Sequence, residues 1–199
     1  MDSCLSLSAN ERGWAVQKTW YRRLFPPAHE RDLKSTEAKA RHGDADSQFA
    51  LGLKYGNAPG QLQDFSQAAE WYRKAAEQDH FLAQFNLGLM YAKGQGVPQD
   101  DGNARAWIQK AAQGGDAGAQ FDLGTRYHRD SLSGLHTDGM ESRIEAYKWF
   151  CLAAAQGYKN SAACCERITL EMTRDEVREG NGRVAAFAPA NAKPAQVVN

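Results

Sequence analysis

The sequence has no surplus of charge of either sign, since 24 Lys and Arg stand against 24 Asp and Glu in 199 residues. A chain balanced in this way lacks the basic field that nucleic acid or an anionic membrane would require of a partner. It has no apolar run of the roughly eighteen residues that a membrane-spanning helix needs. The opening MDSCLSLSANERGW has neither a basic leader nor an apolar core of signal-peptide length. Cysteine is scarce: Cys4 stands alone, and Cys151, Cys164 and Cys165 crowd toward the end with no CxxC pair. That spacing excludes a disulfide framework and a zinc ribbon, and it predicts reduced thiols in a cytosolic protein. What remains is 42% hydrophobic and 24% charged, the composition of a soluble globular or repeat protein rather than a disordered or fibrous one.

What the chain does have is a period. DADSQFALGLKYG from Asp44, HFLAQFNLGLMYAKG from His80 and DAGAQFDLGTRYH from Asp116 align in four columns: Gln48, Gln84, Gln120; Phe49, Phe85, Phe121; the Leu-Gly pairs ending at Gly52, Gly88 and Gly124; and Tyr55, Tyr91, Tyr127. Every column steps by 36 residues. Each segment is followed by a second one, aligned on Trp71, Trp107 and Trp149, with six extra residues in the third unit.

Ala83, Leu87 and Tyr91 fall at i, i+4 and i+8, and Ala68, Trp71 and Ala75 at i, i+3 and i+7, so both halves read as helices. Asp64, Asp100 and Ser142, seven residues before each Trp, read as N-caps, with Gln67 and Glu145 completing two capping boxes. A glycine within a helix costs about 1 kcal/mol relative to alanine. Gly52, Gly88 and Gly124 therefore imply close helix packing, and the paired alanines at 75–76, 111–112 and 153–154 do the same on the second helix. Hairpins of this size cannot bury their apolar faces singly, so they stack.

The stretch LGLMYAKGQGVPQDDGNARAWIQKAAQGGD from Leu87 to Asp116 resembles a Sel1-like repeat, a relative of the tetratricopeptide repeat with a longer inter-helix loop. The resemblance covers about Asp44 to Tyr158. It implies an all-α, right-handed solenoid with capping helices at both ends. The expected organisation is N-terminal caps over 1–43, which have the length of a degenerate repeat, and repeats over 44–79, 80–115 and 116–160, the last with the insert. C-terminal capping helices over 161–187 and a flexible tail over 188–199 complete it. Within the N-terminal part, residues 8–25 and 28–42 read as helices, and the aromatic and basic cluster Trp14, Trp20, Tyr21, Arg22, Arg23 and Phe25 either covers the open end or binds a partner. Thr173 and Glu176 set up a capping box for the last helix.

The resemblance further implies a non-enzymatic adaptor or scaffold, of a kind common in bacteria, that takes a protein or peptide partner in a concave groove lined by the first helix of each repeat. The candidate lining residues are Phe49, Leu53, Phe85, Asn86, Leu89, Lys93, Phe121, Thr125, His128 and Arg129. The phenylalanines lie about 200° around the helix from the leucine stripe, where they either anchor a partner or pack between successive repeats. Of the columns in which tetratricopeptide modules carry a carboxylate clamp, only Asn86 is of the matching type, against Phe49, Leu53, Gly118 and Asp122, so no such clamp is expected. His128-x-Asp130 and His136-x-Asp138 have metal-ligand chemistry but match no defined site, and a metal-dependent enzyme built on this loop is the alternative function. A secreted or host-delivered effector of the same fold is another. Neither cofactor nor metal is expected. Vicinal Cys164 and Cys165 read as small-residue packing, and HRD at 128 and Gly94-x-Gly96 lack the context of a kinase or a phosphate loop.

Overall fold

In the computed structural model, which describes residues 35–132 and 139–187, every regular element is helical. Repeat one is α1 (Ala45–Gly56) and α2 (Phe65–Ala76), with a one-turn 3-10 helix at Gly60–Leu62 between them. Repeat two is α3 (Phe81–Lys93) and α4 (Asp101–Gln113), and repeat three is α5 (Ala117–Leu132) and α6 (Gly139–Ala155). Two further helices follow, α7 (Ser161–Leu170) and α8 (Arg174–Ala186). Residues 35–41 are also helical and lead into α1. The readings of a helix over 8–25, of the N-terminal aromatic cluster and of the tail lie outside the described residues. The architecture is an all-α solenoid.

The mid-helix glycines are explained by what faces them. A methyl on Gly52 would stand 2.5 Å from the Tyr72 ring, on Gly88 2.7 Å from Ile108 Cγ1, and on Gly124 2.7 Å from Phe150. In each repeat the missing side chain on the first helix is the seat of the residue following the tryptophan on the second. These are separations that a real methyl cannot hold, so the glycine allows the two helices to close. Burial lifts the Tyr72 phenol to about 12. It buries with Leu51 and Ala75 in a core that runs on through Leu87, Ile108, Leu123 and Phe150.

The glutamine column joins one repeat to the next. Gln48 donates to the carbonyl of Ala40, Gln84 to Ala76 and Gln120 to Ala112, each across eight residues at 3.0 to 3.2 Å. Each glutamine is buried, and each adds a second hydrogen bond to a carbonyl at the end of the preceding helix that already accepts a backbone amide from Gly43, Asp79 or Gly115, so the buried amide nitrogen is satisfied. Gln78 and Gln156 add a second tier by donating to Gln48 and Gln120. Because Ala40 occupies the place of Ala76 and Ala112, helix 35–41 stands to α1 as α2 stands to α3. On the second helices, Lys74, Lys110 and Lys148 each lie 4.3 to 4.6 Å above the neighbouring tryptophan ring.

Side-chain caps are present at Asp44, Asp64, Asp100 and Asp116, and at His80, whose Nδ1 accepts from the Ala83 amide. Two capping expectations need correction. Gln67 turns its amide to the Asp64 carboxylate, so only half of that box forms. Ser142 is not a cap, because α6 starts at Gly139 and carries it inside the helix. Glu145 is turned instead to Lys148 and Arg183. Gly96 serves packing rather than phosphate: its positive φ of 69° and lack of a side chain let the loop lie against the Phe65 carbonyl of the preceding repeat.

The cysteine expectation is overturned. Cys151 on α6 and Cys165 on α7 form a disulfide, with their Cα atoms 5.6 Å apart and a sequence separation of 14. Two helices that face each other bring together thiols whose sequence spacing carried no such signal, and the cytosolic expectation loses the unpaired thiols on which it rested. Cys164 is free and half-buried.

The last two helices depart from the hairpin rule, for both pack on α6 rather than on each other. A methyl on Gly180 of α8 would stand 2.5 Å from the Tyr147 ring, and the Tyr147 hydroxyl donates to Asn181. Arg183 pairs with Glu141 and Glu145 of α6 and with Glu179 of its own helix. Thr173 and Glu176 form a complete capping box. Burial opposes the charge on Glu176, but the Thr173 amide and the Arg143 guanidinium outweigh it and hold the carboxyl below the usual range.

Candidate functional site

The first helices of the repeats share one face, since α1 touches α3 and the columns on them step by one repeat. The ten groove residues divide into three groups on this face. The three phenylalanines are half-buried in packing: Phe49 stacks on His80 with centroids 4.6 Å apart and touches Tyr72, and Phe121 lies 5.7 Å from both Phe150 and Tyr158. Phe85 packs on Gly118, where a methyl would come within 2.9 Å of its ring. Leu53 and Leu89 are likewise half-buried against the cores between repeats one and two and between repeats two and three.

The second group is polar and faces outward. Asn86 donates to the Leu82 carbonyl and the Thr125 hydroxyl to the Phe121 carbonyl, both within their own helices. Lys93, Thr125 and Arg129 are exposed. The third group is His128, whose Nε2 lies 3.1 Å from Glu171 Oε2 and whose ring meets Phe150 edge-on. His128 therefore ties α5 to the segment after α7. Leu82, 38% exposed, belongs with the outward group and was missed by the sequence reading. The signal was available, because 82, 86, 89 and 93 follow one helical stripe.

No group of three His, Cys, Asp or Glu placed to hold a metal occurs among the described residues. His136 and Asp138 lie outside them. Asp116, the cap of α5, is pushed upward by burial against the pull of the Ala119 and Gly118 amides.

Comparison with known proteins agrees with this architecture. The Sel1 repeat family matches residues 45–80, 82–116 and 117–158, more than half of the chain. Among solved structures, the chain is similar to c5321, described as a protective antigen of uropathogenic Escherichia coli with an SLR fold, at 25% identity and a TM-score of 0.67. That match covers 90% of this chain but only 38% of the antigen. It is also similar to a Sel1 repeat protein from Oxalobacter formigenes, at 36% identity and a TM-score of 0.58, over 69% of this chain and 98% of that one. No curated protein matches the sequence.

Proposed function

Because the chain belongs to the Sel1 repeat family, we propose that it is a non-enzymatic adaptor that docks a protein or peptide partner on the face shared by α1, α3 and α5. The observation that supports this most directly is the division of labour along those helices. Glutamines, glycines and phenylalanines are committed to holding the repeats together, so their neighbours on the same helices are presented on a fixed frame. A preorganised frame lowers the entropy lost on binding, and affinity then comes from a few anchors rather than from area. Leu82, Leu89 and Asn86 supply an apolar and amide centre, with Lys93 and Arg129 beside it. The balanced charge of the chain disfavours nucleic acid as the occupant. No described helix is long and apolar enough to cross a membrane.

The test is crosslinking capture of the partner by the full chain, followed by the double change Lys93→Glu and Arg129→Glu. Both side chains are exposed, so helicity and melting temperature stay as they are while capture is lost. Capture that persists places the partner elsewhere.

A further inference from the structure

α7 follows α6 and packs on it as α3 does on α2 and α5 on α4, so it stands in the place of the first helix of a further repeat. It lacks what holds the other first helices there. Asn160 precedes it without a side-chain cap, whereas Asp44, His80 and Asp116 each cap theirs. Its sequence SAACCERITL has neither the glutamine that ties a first helix to the helix before it nor the glycine that seats a side chain of the next. Only Ser161 and Ile168 of its ten residues are buried, and Leu170 at its end is 88% exposed. Ile168 joins Ala146, Tyr147 and Phe150 of α6 in one buried cluster, against which Cys151, Cys164 and Cys165 pack. With so little else, the Cys151–Cys165 bond is the firm link between α7 and the solenoid.

That bond is placed to open, and its opening is local. Neither of its cysteines is fully buried, the setting in which a disulfide is accessible to thiol attack. The helices on either side of α7 are fixed without it. α6 is held in its hairpin by Phe150 on Gly124, and α8 grips α6 through Gly180 on Tyr147, Glu176 on Arg143 and Arg183 on Glu141 and Glu145. Opening the bond therefore releases a ten-residue strap between two anchored points. The strap carries one contact to the candidate docking face. Glu171, directly after α7, meets His128 Nε2 at 3.1 Å, and His128 shares a stripe of α5 with Phe121 and Thr125 at i, i+4 and i+7.

We propose that the Cys151–Cys165 bond is a redox latch: oxidised, it holds α7 on α6 and Glu171 on His128; reduced, it frees α7 and uncovers His128 while the repeats stay folded. The reductant is a dithiol. One of its thiolates attacks a cysteine sulfur and forms a mixed disulfide, releasing the other cysteine as a thiolate, and its second thiolate then displaces the first cysteine. The dithiol leaves as a cyclic disulfide after giving two electrons, and its two protons finish on Cys151 and Cys165. Oxidised glutathione reverses the exchange and leaves as two thiols. The latch concerns this chain alone, so it is tested without a partner.

The experiment is hydrogen exchange by mass spectrometry on the full chain carrying Cys4→Ser and Cys164→Ser, which confines exchange to one pair of sulfurs. The protein is compared oxidised, reduced with dithiothreitol and re-oxidised with oxidised glutathione. Reduction should speed exchange in α7 on the order of a hundredfold, the factor implied by the chain freedom restored to a loop of this length, and leave α1 to α4 unchanged. Re-oxidation should restore the slow exchange. The His128 ring resonances, assigned by comparison with His128→Gln, should move on reduction toward those of a solvated imidazole. Cys151→Ser with Cys165→Ser is permanently open and should match the reduced form in both readouts. A bond that the dithiol does not open in the folded chain, unchanged protection of α7 once it is open, protection lost equally in all helices, or a His128 signal that does not move each overturns the proposal.

Discussion

The repeat hairpins and the C-terminal pair of helices solve one problem, how to close helix against helix, by different means. In the hairpins a glycine of the first helix receives Tyr72, Ile108 or Phe150 from the second, and the solution recurs with the period. At the C-terminus α8 uses the same device once, Gly180 against Tyr147, and supplements it with a disulfide on α7 and a cluster of ion pairs around Arg183. The lesson is that the stacked hairpins are held by repetition, whereas the two helices that cover α6 of the last hairpin are held by individual contacts.

The largest test of this contrast is the disulfide. Opening a loop of this length costs about 3 kcal/mol in the chain-entropy account, and Cys151→Ser with Cys165→Ser should lower the melting temperature accordingly. Hydrogen exchange should then rise in α7 ahead of α3 and α4. Equal loss of protection in all helices would mean that the end is no more independent than the middle.

Gly88→Ala probes the other side. The new methyl meets Ile108 at 2.7 Å and the Ala104 carbonyl at 3.1 Å, so α3 and α4 must part. Overpacking of this kind costs about 1–3 kcal/mol, offset by the roughly 1 kcal/mol that alanine gains over glycine in a helix. A net loss of about 1 kcal/mol in chemical denaturation is expected, and a stabilised variant would remove the packing account of the glycine column.

Acid sharpens the comparison further. Hydrogen bonding to Arg183 lowers Glu141, and for Glu176 the Thr173 amide and Arg143 outweigh burial. A carboxyl lowered in the folded state binds fewer protons there than when unfolded. Its contribution is present above the unfolded value and is lost as pH falls through the folded one. Asp44 and Asp100 follow the same sign through their hydrogen bonds to Ser47 and Asn103, whereas Asp116, raised by burial, has the opposite sign and favours the folded state as pH falls. Amide exchange in α8 should therefore accelerate below the carboxylate range before it does in α5. Simultaneous exchange would show that the Glu176 box and its pair with Arg143 do not govern α8.

The smallest effect is expected where repeat two meets repeat three. Arg73 donates to the Tyr91 hydroxyl between repeats one and two, and Gln109 stands in its place 36 residues on. Gln109→Arg should change stability by about 0.5 kcal/mol or less, as surface substitutions do, while giving Tyr127 the hydrogen bond that Tyr91 has. A shift in the tyrosine absorbance titration would report that bond.

Much of this architecture is legible in the sequence because a repeat states its contacts several times over. The glycine columns predict close packing, and their partners follow the tryptophans. The role of the glutamine column was not legible, since a buried amide and an exposed one look alike until the preceding helix end is placed beside it. Nor was the Cys151–Cys165 pair, whose 14-residue spacing becomes a contact only when α7 folds back along α6. On the candidate face, the fate of Phe49, Phe85 and Phe121 hung on which neighbour each ring met, and helical phase alone did not decide it.

The sequence by itself determined the period, the helical character of each half and the points of closest helix approach, because those follow from side-chain size and 3.6-residue geometry. Only the tertiary structure decided which thiols join, which rings are committed to packing and which junction a side chain bridges. Those outcomes depend on distances between residues far apart in the chain, and a single substitution such as glutamine for arginine at 109 changes what lies across the junction without altering the local helix.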